Sequence, residues 1–125
     1  MLKRILLLMS APLLLAGCAS TITNLTPLHQ TRNANNLYPV EAAMSSRQQT
    51  LRWDSIRPQI MVGNDVYPMR PTTLMTNRWE GLLPVPPGTS IAHYRYKIDF
   101  NYNAMGPAKA DSALSPEYTL RITEP

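Results

Sequence analysis

Cysteine is nearly absent from this 125-residue chain. Cys18 stands alone, so no intrachain disulfide can form and a packed core must hold the fold. Histidine is also scarce: His29 and His93 stand 64 positions apart, and no short-spaced pair of His, Cys, Asp or Glu suggests a metal site. Neither a metal nor another cofactor is expected. The five glycines are dispersed, and none forms a glycine-rich loop ahead of a helix, which removes a phosphate cradle. No Gly-x-Ser-x-Gly elbow occurs, and a serine nucleophile would have only His29 or His93 as its base. Asp54, Asp65, Glu80 and Asp99 are the obvious carboxylates for paired acid and base work, yet nothing in their spacing selects a pair. The expectation is therefore a protein that is not an enzyme.

What is present begins at the first residues. Lys3 and Arg4 precede a short apolar stretch, Ile5-Leu6-Leu7-Leu8-Met9-Ser10-Ala11-Pro12-Leu13-Leu14-Leu15, in the charged-then-apolar order of a secretory signal. A spanning helix needs about 20 consecutive apolar residues, and this run is shorter and interrupted by Pro12. It closes with Leu15-Ala16-Gly17-Cys18, which resembles the lipobox of bacterial lipoproteins at all four positions. That resemblance implies cleavage between Gly17 and Cys18, a diacylglyceryl group on the Cys18 thiol and acylation of the new amino group. One chain alone anchors only marginally, whereas two or more give stable attachment. Ala19 follows the cysteine and is not aspartate, which in this family implies the outer membrane.

Removal of residues 1–17 leaves 108, enough for one domain. Lys3 and Arg4 depart with the signal, so ten of the twelve cations face eight carboxylates, a net charge of +2. Scattered single arginines outside the cytoplasm do not make the basic patch that nucleic acid requires. Residues 18–36 are rich in Thr and Asn and show no sustained period, which reads as a lipidated N-terminus and flexible tether. At roughly 3.1 Å per residue such a tether would hold the domain tens of ångströms from the lipid. The alternative is that Ile22 to Leu28 docks as an extra strand.

Residues 37–125 carry a β signature. Tyr94, Tyr96, Ile98, Phe100 and Tyr102 share one parity, and His93, Arg95, Lys97, Asp99 and Asn101 the other. Tyr118, Leu120 and Ile122 repeat the pattern near the end, so both segments read as half-buried strands. Ile56, Pro58, Ile60 and Val62, the turn Gly63-Asn64-Asp65, and Val66 to Met69 form a hairpin, with Pro58 and Pro68 placed at an edge or bulge because neither can donate to a ladder. Leu37 to Met44 is the opening strand and Trp79 to Val85 another. The stretch from Glu41 to Trp53 tolerates a helix but reads as strand then loop. Short strands at regular spacing predict an all-β domain, a single antiparallel sandwich that resembles immunoglobulin-like or fibronectin-like domains. It lacks the Cys-Trp-Cys signature of antibody domains, and a small barrel remains open on strand count alone.

Aromatic residues are the remaining candidates for recognition. Tyr94, Tyr96 and Tyr102 share their parity with core residues, whereas Trp53 and Trp79, flanked by Arg52, Asp54, Arg78 and Glu80, suit either a core or a contact with ligand or partner. Trp79-Glu80, Pro86-Pro87-Gly88 and Tyr94-Arg95-Tyr96-Lys97 resemble segments of starch-binding modules of immunoglobulin-like fold, a similarity that fixes no ligand residue. The expected role is a non-catalytic envelope lipoprotein, a structural or protein-interaction component of a surface or secretion assembly, that meets the membrane through Cys18 and a protein partner through its domain. A polysaccharide is the alternative partner.

Overall fold

The computed structural model describes residues 20–125, so the signal segment, Gly17, Cys18 and Ala19 lie outside the described residues. Ten strands follow in chain order: β1 (Ser20–Asn24), β2 (His29–Thr31), β3 (Leu37–Ser46), β4 (Leu51–Val62), β5 (Asp65–Pro68), β6 (Arg70–Pro71), β7 (Arg78–Pro84), β8 (Ile91–Tyr102), β9 (Lys109–Leu114) and β10 (Tyr118–Thr123). They form two sheets, ordered β1-β3-β7-β6 and β2-β10-β8-β4-β5, with β9 also paired to β8.

Alternation builds the core. In β3, Tyr38, Val40, Ala42 and Met44 are buried while Pro39 and Ser45 face outward; in β8, Tyr94, Tyr96, Ile98 and Phe100 are buried between His93, Arg95, Lys97 and Asp99. Each strand thus offers one apolar face, and neither sheet can bury that face except against the other. The main cluster joins Tyr38, Val40, Ala42 and Leu83 of the first sheet to Ile60, Tyr94, Tyr96, Leu120 and Ile122 of the second, the arrangement of a β-sandwich. A second cluster gathers Met44, Leu51, Trp79, Ile98 and Phe100 toward one end. Truncating a side chain such as Leu83 or Ile60, both fully buried, would cost roughly 2–5 kcal/mol.

Several expectations need correction. From Ser20 onward the expected tether is folded: β1 pairs antiparallel with β3, and β2 pairs with β10. The β2 and β10 strands run parallel, so the sandwich is not wholly antiparallel. The reason is geometric, because a single segment that leaves β3 of one sheet and crosses to β10 of the other keeps its direction. Pro58 lies within β4, which has β8 and β5 on its two sides. Its carbonyl accepts Met69 N–H on the β5 side, so its missing N–H faces the point where the β5 ladder ends at Gln59 and Pro68. The loop expected up to Trp53 spans only residues 47–50 before β4 begins. β9 shows no alternation because nearly all of it is exposed; with β10 it runs along the same edge of β8. Between them Ser115 holds the ladder together, its N–H donating to Tyr96 O at 2.9 Å and its hydroxyl accepting Tyr96 N–H at 2.8 Å.

Side-chain bonds from two buried tyrosines fasten β1. Tyr96 OH donates to Asn24 Oδ1 at 2.7 Å, and Asn24 Nδ2 donates to Tyr94 OH at 2.9 Å. Thr26 Oγ1 lies 3.1 Å from Tyr96 OH and accepts Glu41 N–H at 2.9 Å. The rings of Tyr94, Tyr96 and Tyr118 sit 5.7–5.8 Å apart, and such edge or tilted pairs contribute about 0.5–1.5 kcal/mol beyond their burial. Burial above all pushes the Tyr96 phenol well above its ordinary value near 10, with Thr26 opposing.

This shift fixes a pH dependence. Above about pH 10 the unfolded chain releases the Tyr96 proton while the folded chain keeps it, so stability present below that pH falls as pH rises, by up to about 1.4 kcal/mol per unit. Urea midpoints measured from about pH 8 to 11 are expected to drop more steeply for the natural chain than for Tyr96→Phe, whose lost hydroxyl lowers the neutral-pH midpoint but removes the alkaline loss. Parallel curves would contradict the assignment.

Candidate functional site

Strand directions bring three connections to one end of the sandwich. Ser20 opposite Ser46, Leu51 opposite Tyr102, and Tyr102 opposite Lys109 place the start of β1 beside the turns at 47–50 and 103–108. Ala43 opposite Arg78, and Met44 N–H donating to Asn77 O, bring the 72–77 loop to the same end.

Trp53 projects here because β4 bulges. Arg52 pairs with Asn101 and Arg57 with Asp99, so Trp53, Asp54, Ser55 and Ile56 stand against the single residue Phe100. Ser55 stabilises the distortion. Its hydroxyl donates to Arg52 O at 2.6 Å and accepts Asn101 N–H at 2.8 Å, replacing the lost ladder partner. Trp53 is left 44 % exposed and lines an open hollow of about 630 Å³ with Met44, Ser45, Ser46, Thr76 and Asn77.

Other large apolar side chains reach solvent at this end. Leu74 is 98 % exposed and holds φ +65°, Met75 is 40 % exposed, and Met105 is fully exposed. A leucine in the left-handed region is strained by about 1 kcal/mol or more, and its exposure adds the hydration cost of an apolar surface. The backbone cost is met by the turn itself, closed by Met75 N–H donating to Thr72 O at 3.1 Å, whereas the exposed leucine side chain gains no burial within the fold.

Trp79 is corrected as a contact residue. It is only 5 % exposed and packs in the cluster with Met44, Leu51, Ile98 and Phe100, so the two tryptophans do not form an exposed pair. His29 is exposed at the start of β2, and His93 is exposed on β8. His93 Nδ1 lies 3.2 Å from Thr119 Oγ1 and 3.8 Å from Glu117. One ring nitrogen faces both groups, whereas a catalytic relay uses the two nitrogens separately. Among the described residues no three His, Cys, Asp or Glu side chains gather as a metal site. Asp99 is held below the usual carboxylate range first by the Ser112 hydroxyl, which donates at 2.5 Å, with Lys97 and Gln59 assisting.

The sequence reading missed one carboxylate pair. Glu41 and Glu80 are direct cross-strand neighbours on β3 and β7, each offset by an arginine: Arg78 at 3.8 Å from Glu41 and Arg70 at 3.3 Å from Glu80. Beside them Pro39, Pro68, Met69, Gly81 and Leu82 border an open hollow of about 390 Å³ on the outer side of the first sheet. Only the β3–β7 register creates this pair; 39 positions of sequence separate its members. Comparison with known proteins finds no matching family model, no similar curated protein and no similar solved structure.

Ser55→Ala is expected to lower stability by about 1–3 kcal/mol, because Asn101 N–H loses its acceptor, and to change Trp53 emission as the bulge relaxes. Ser55→Thr keeps the hydroxyl and should retain most of both. Denaturation followed by tryptophan fluorescence tests the pair, and equal effects of the two substitutions would contradict this account.

Proposed function

We propose that the chain is the precursor of a lipid-anchored protein of the bacterial cell envelope, a non-catalytic component that presents an immunoglobulin-like sandwich to a protein partner. One observation carries the reading: Leu15-Ala16-Gly17-Cys18 closes an apolar run that begins behind Lys3 and Arg4. Cleavage falls between Gly17 and Cys18, the lipid is carried on Cys18, and Ala19 directs the mature protein to the outer membrane. The absence of a second cysteine suits this use, since no other thiol competes for pairing in an oxidising compartment.

The strand order supports the immunoglobulin-like assignment. The order β1-β3-β7-β6 parallels the four-stranded sheet of such domains, and β10-β8-β4 the facing sheet, here extended by β5 on one edge and β2 on the other. A sandwich of this kind supplies faces and loops to a partner and needs no reacting group. The outer hollow beside Glu41 and Glu80, with Leu82 half exposed, is the surface best suited to a protein contact. The polysaccharide alternative draws on Trp53 beside Ser45, Ser46, Thr76 and Asn77, a stacking ring with polar neighbours. It has lost the second tryptophan that a paired platform would use.

Cys18→Ser is expected to abolish incorporation of labelled palmitate and to leave the uncleaved precursor in the membrane fraction. Metabolic labelling and mass spectrometry of the N-terminal peptide from the native host test this. A mature chain with a bare Cys18 thiol, or one starting elsewhere, would overturn the reading.

A further inference from the structure

The folding of β1 removes the slack on which a tether depends. Ser20 already pairs with Ser46, and Cys18 precedes it by two positions. Two residues can span at most roughly 7 Å, whatever their conformation. On the lipoprotein reading, which this inference requires, the acylated residue is therefore bound close to one end of the sandwich. It is the same end that carries Trp53, Leu74, Met75 and Met105.

We propose that this end is seated on the bilayer surface, with the 72–77 and 103–108 loops and the Trp53 bulge entering the headgroup layer beside the lipidated Cys18. Three independent features converge there. First, the covalent distance holds the end near the bilayer whatever the loops prefer. Second, the exposed apolar side chains are those that an interface rewards: a tryptophan with its amphipathic ring, and leucine and methionine at loop tips. Third, the Thr72–Met75 turn, closed by Met75 N–H donating to Thr72 O, holds the Leu74 side chain 98 % exposed at its tip, where it gains apolar burial only once a lipid surface covers it. The exposed cations Arg47, Arg52 and Lys109 at this end can meet lipid phosphates; Asp54, 3.8 Å from Arg52, and Asp111 are the carboxylates alongside. The opposite end, with the Gly63-Asn64 turn and Glu124 after β10, points away from the membrane; its apolar side chains, Leu28, Leu37, Val66 and Ile91, are only 37–54 % exposed, none a fully exposed tip like Leu74 or Met105.

Because acylation consumes Cys18, an introduced cysteine becomes the only free thiol of the mature chain. Leu74→Cys, Met105→Cys and, as the distal control, Asn64→Cys are produced as full chains in a host that matures lipoproteins. Each is labelled with a polarity-sensitive fluorophore and reconstituted into vesicles of phosphatidylethanolamine and phosphatidylglycerol. Labels at 74 and 105 are expected to emit further to the blue than the label at 64, to be quenched by spin-labelled lipid, and to lose most of their quenching by iodide. Trp53 provides a reading that needs no label: brominated lipids should quench the natural chain, and that quenching should be lost in Trp53→Phe.

Acyl chains found on Cys18 by mass spectrometry, together with labels at 74 and 105 as open to iodide as the label at 64, would overturn the seated end while leaving the lipoprotein reading intact. Shielding in whole cells but not in pure vesicles would also overturn it, by assigning the apolar end to a protein partner. A bare Cys18 thiol would remove the lipoprotein reading and the seated end together.

Discussion

The bonds between the first described strand and the tyrosines of β8 govern how the rest of the molecule is disposed. Asn24 and Thr26 reach Tyr94, Tyr96 and the backbone of Glu41, so β1 is tied to β3 through its ladder and to β8 through side chains. A buried phenol without a partner would cost about 1–3 kcal/mol, which makes this strand the means by which the tyrosine pair is satisfied as well as a cover for the core. Had residues 20–31 remained a tether, Tyr94 and Tyr96 would have to find other acceptors in the sandwich. The second sheet closes by the same segment, since β2 continues from β1 onto β10.

From that constraint the ends of the sandwich acquire different characters. At the end where β1 begins, the 72–77 and 103–108 connections carry fully exposed apolar tips at Leu74 and Met105 beside the polar turn 47–50, while the bulge of β4 turns Trp53 outward. At the other end the Gly63-Asn64 turn, with Gly63 at φ +59°, a conformation glycine adopts without strain, lies among partly exposed Leu28, Leu37, Val66 and Ile91, with no fully exposed apolar tip. The asymmetry is invisible to overall composition. It arises because antiparallel strands deliver alternate loops to alternate ends, so residues far apart in sequence, such as 53, 74 and 105, collect together.

The elements legible in sequence are those with one wet face and one dry face. β3, β8 and β10 alternate over their length, and β4 with β5 announces itself by parity and by Gly63-Asn64. β1 and β2 were hidden because five and three residues give too few repeats of a period, and β9 because its six residues bury almost nothing. The tryptophans show a different limit. Arg and Asp flank Trp53, and Arg and Glu flank Trp79, so local chemistry is the same; the bulge between Arg52 and Arg57 turns one outward, and the β3–β7 register turns the other inward. Bulges and registers are settled by pairing across sequence distance, which no local window contains.

Edge geometry decides where a partner can meet the sandwich. An unpaired strand edge invites another strand, but β5 ends in Pro68, β6 has only two residues, and β9 carries Lys109 and Asp111, features that discourage edge-to-edge addition. The end beside β1 is committed to the bilayer if Cys18 carries its lipid. The outer face of β3 and β7 offers a contact of another kind: there Glu41 and Glu80 lie opposed between Arg70 and Arg78, and Pro39 and Leu82 add apolar area next to them. A partner with a cation between the two carboxylates would relieve their mutual repulsion and cover the adjoining apolar surface in one contact. On the proposed seating of one end at the bilayer, that face would stand along the membrane normal.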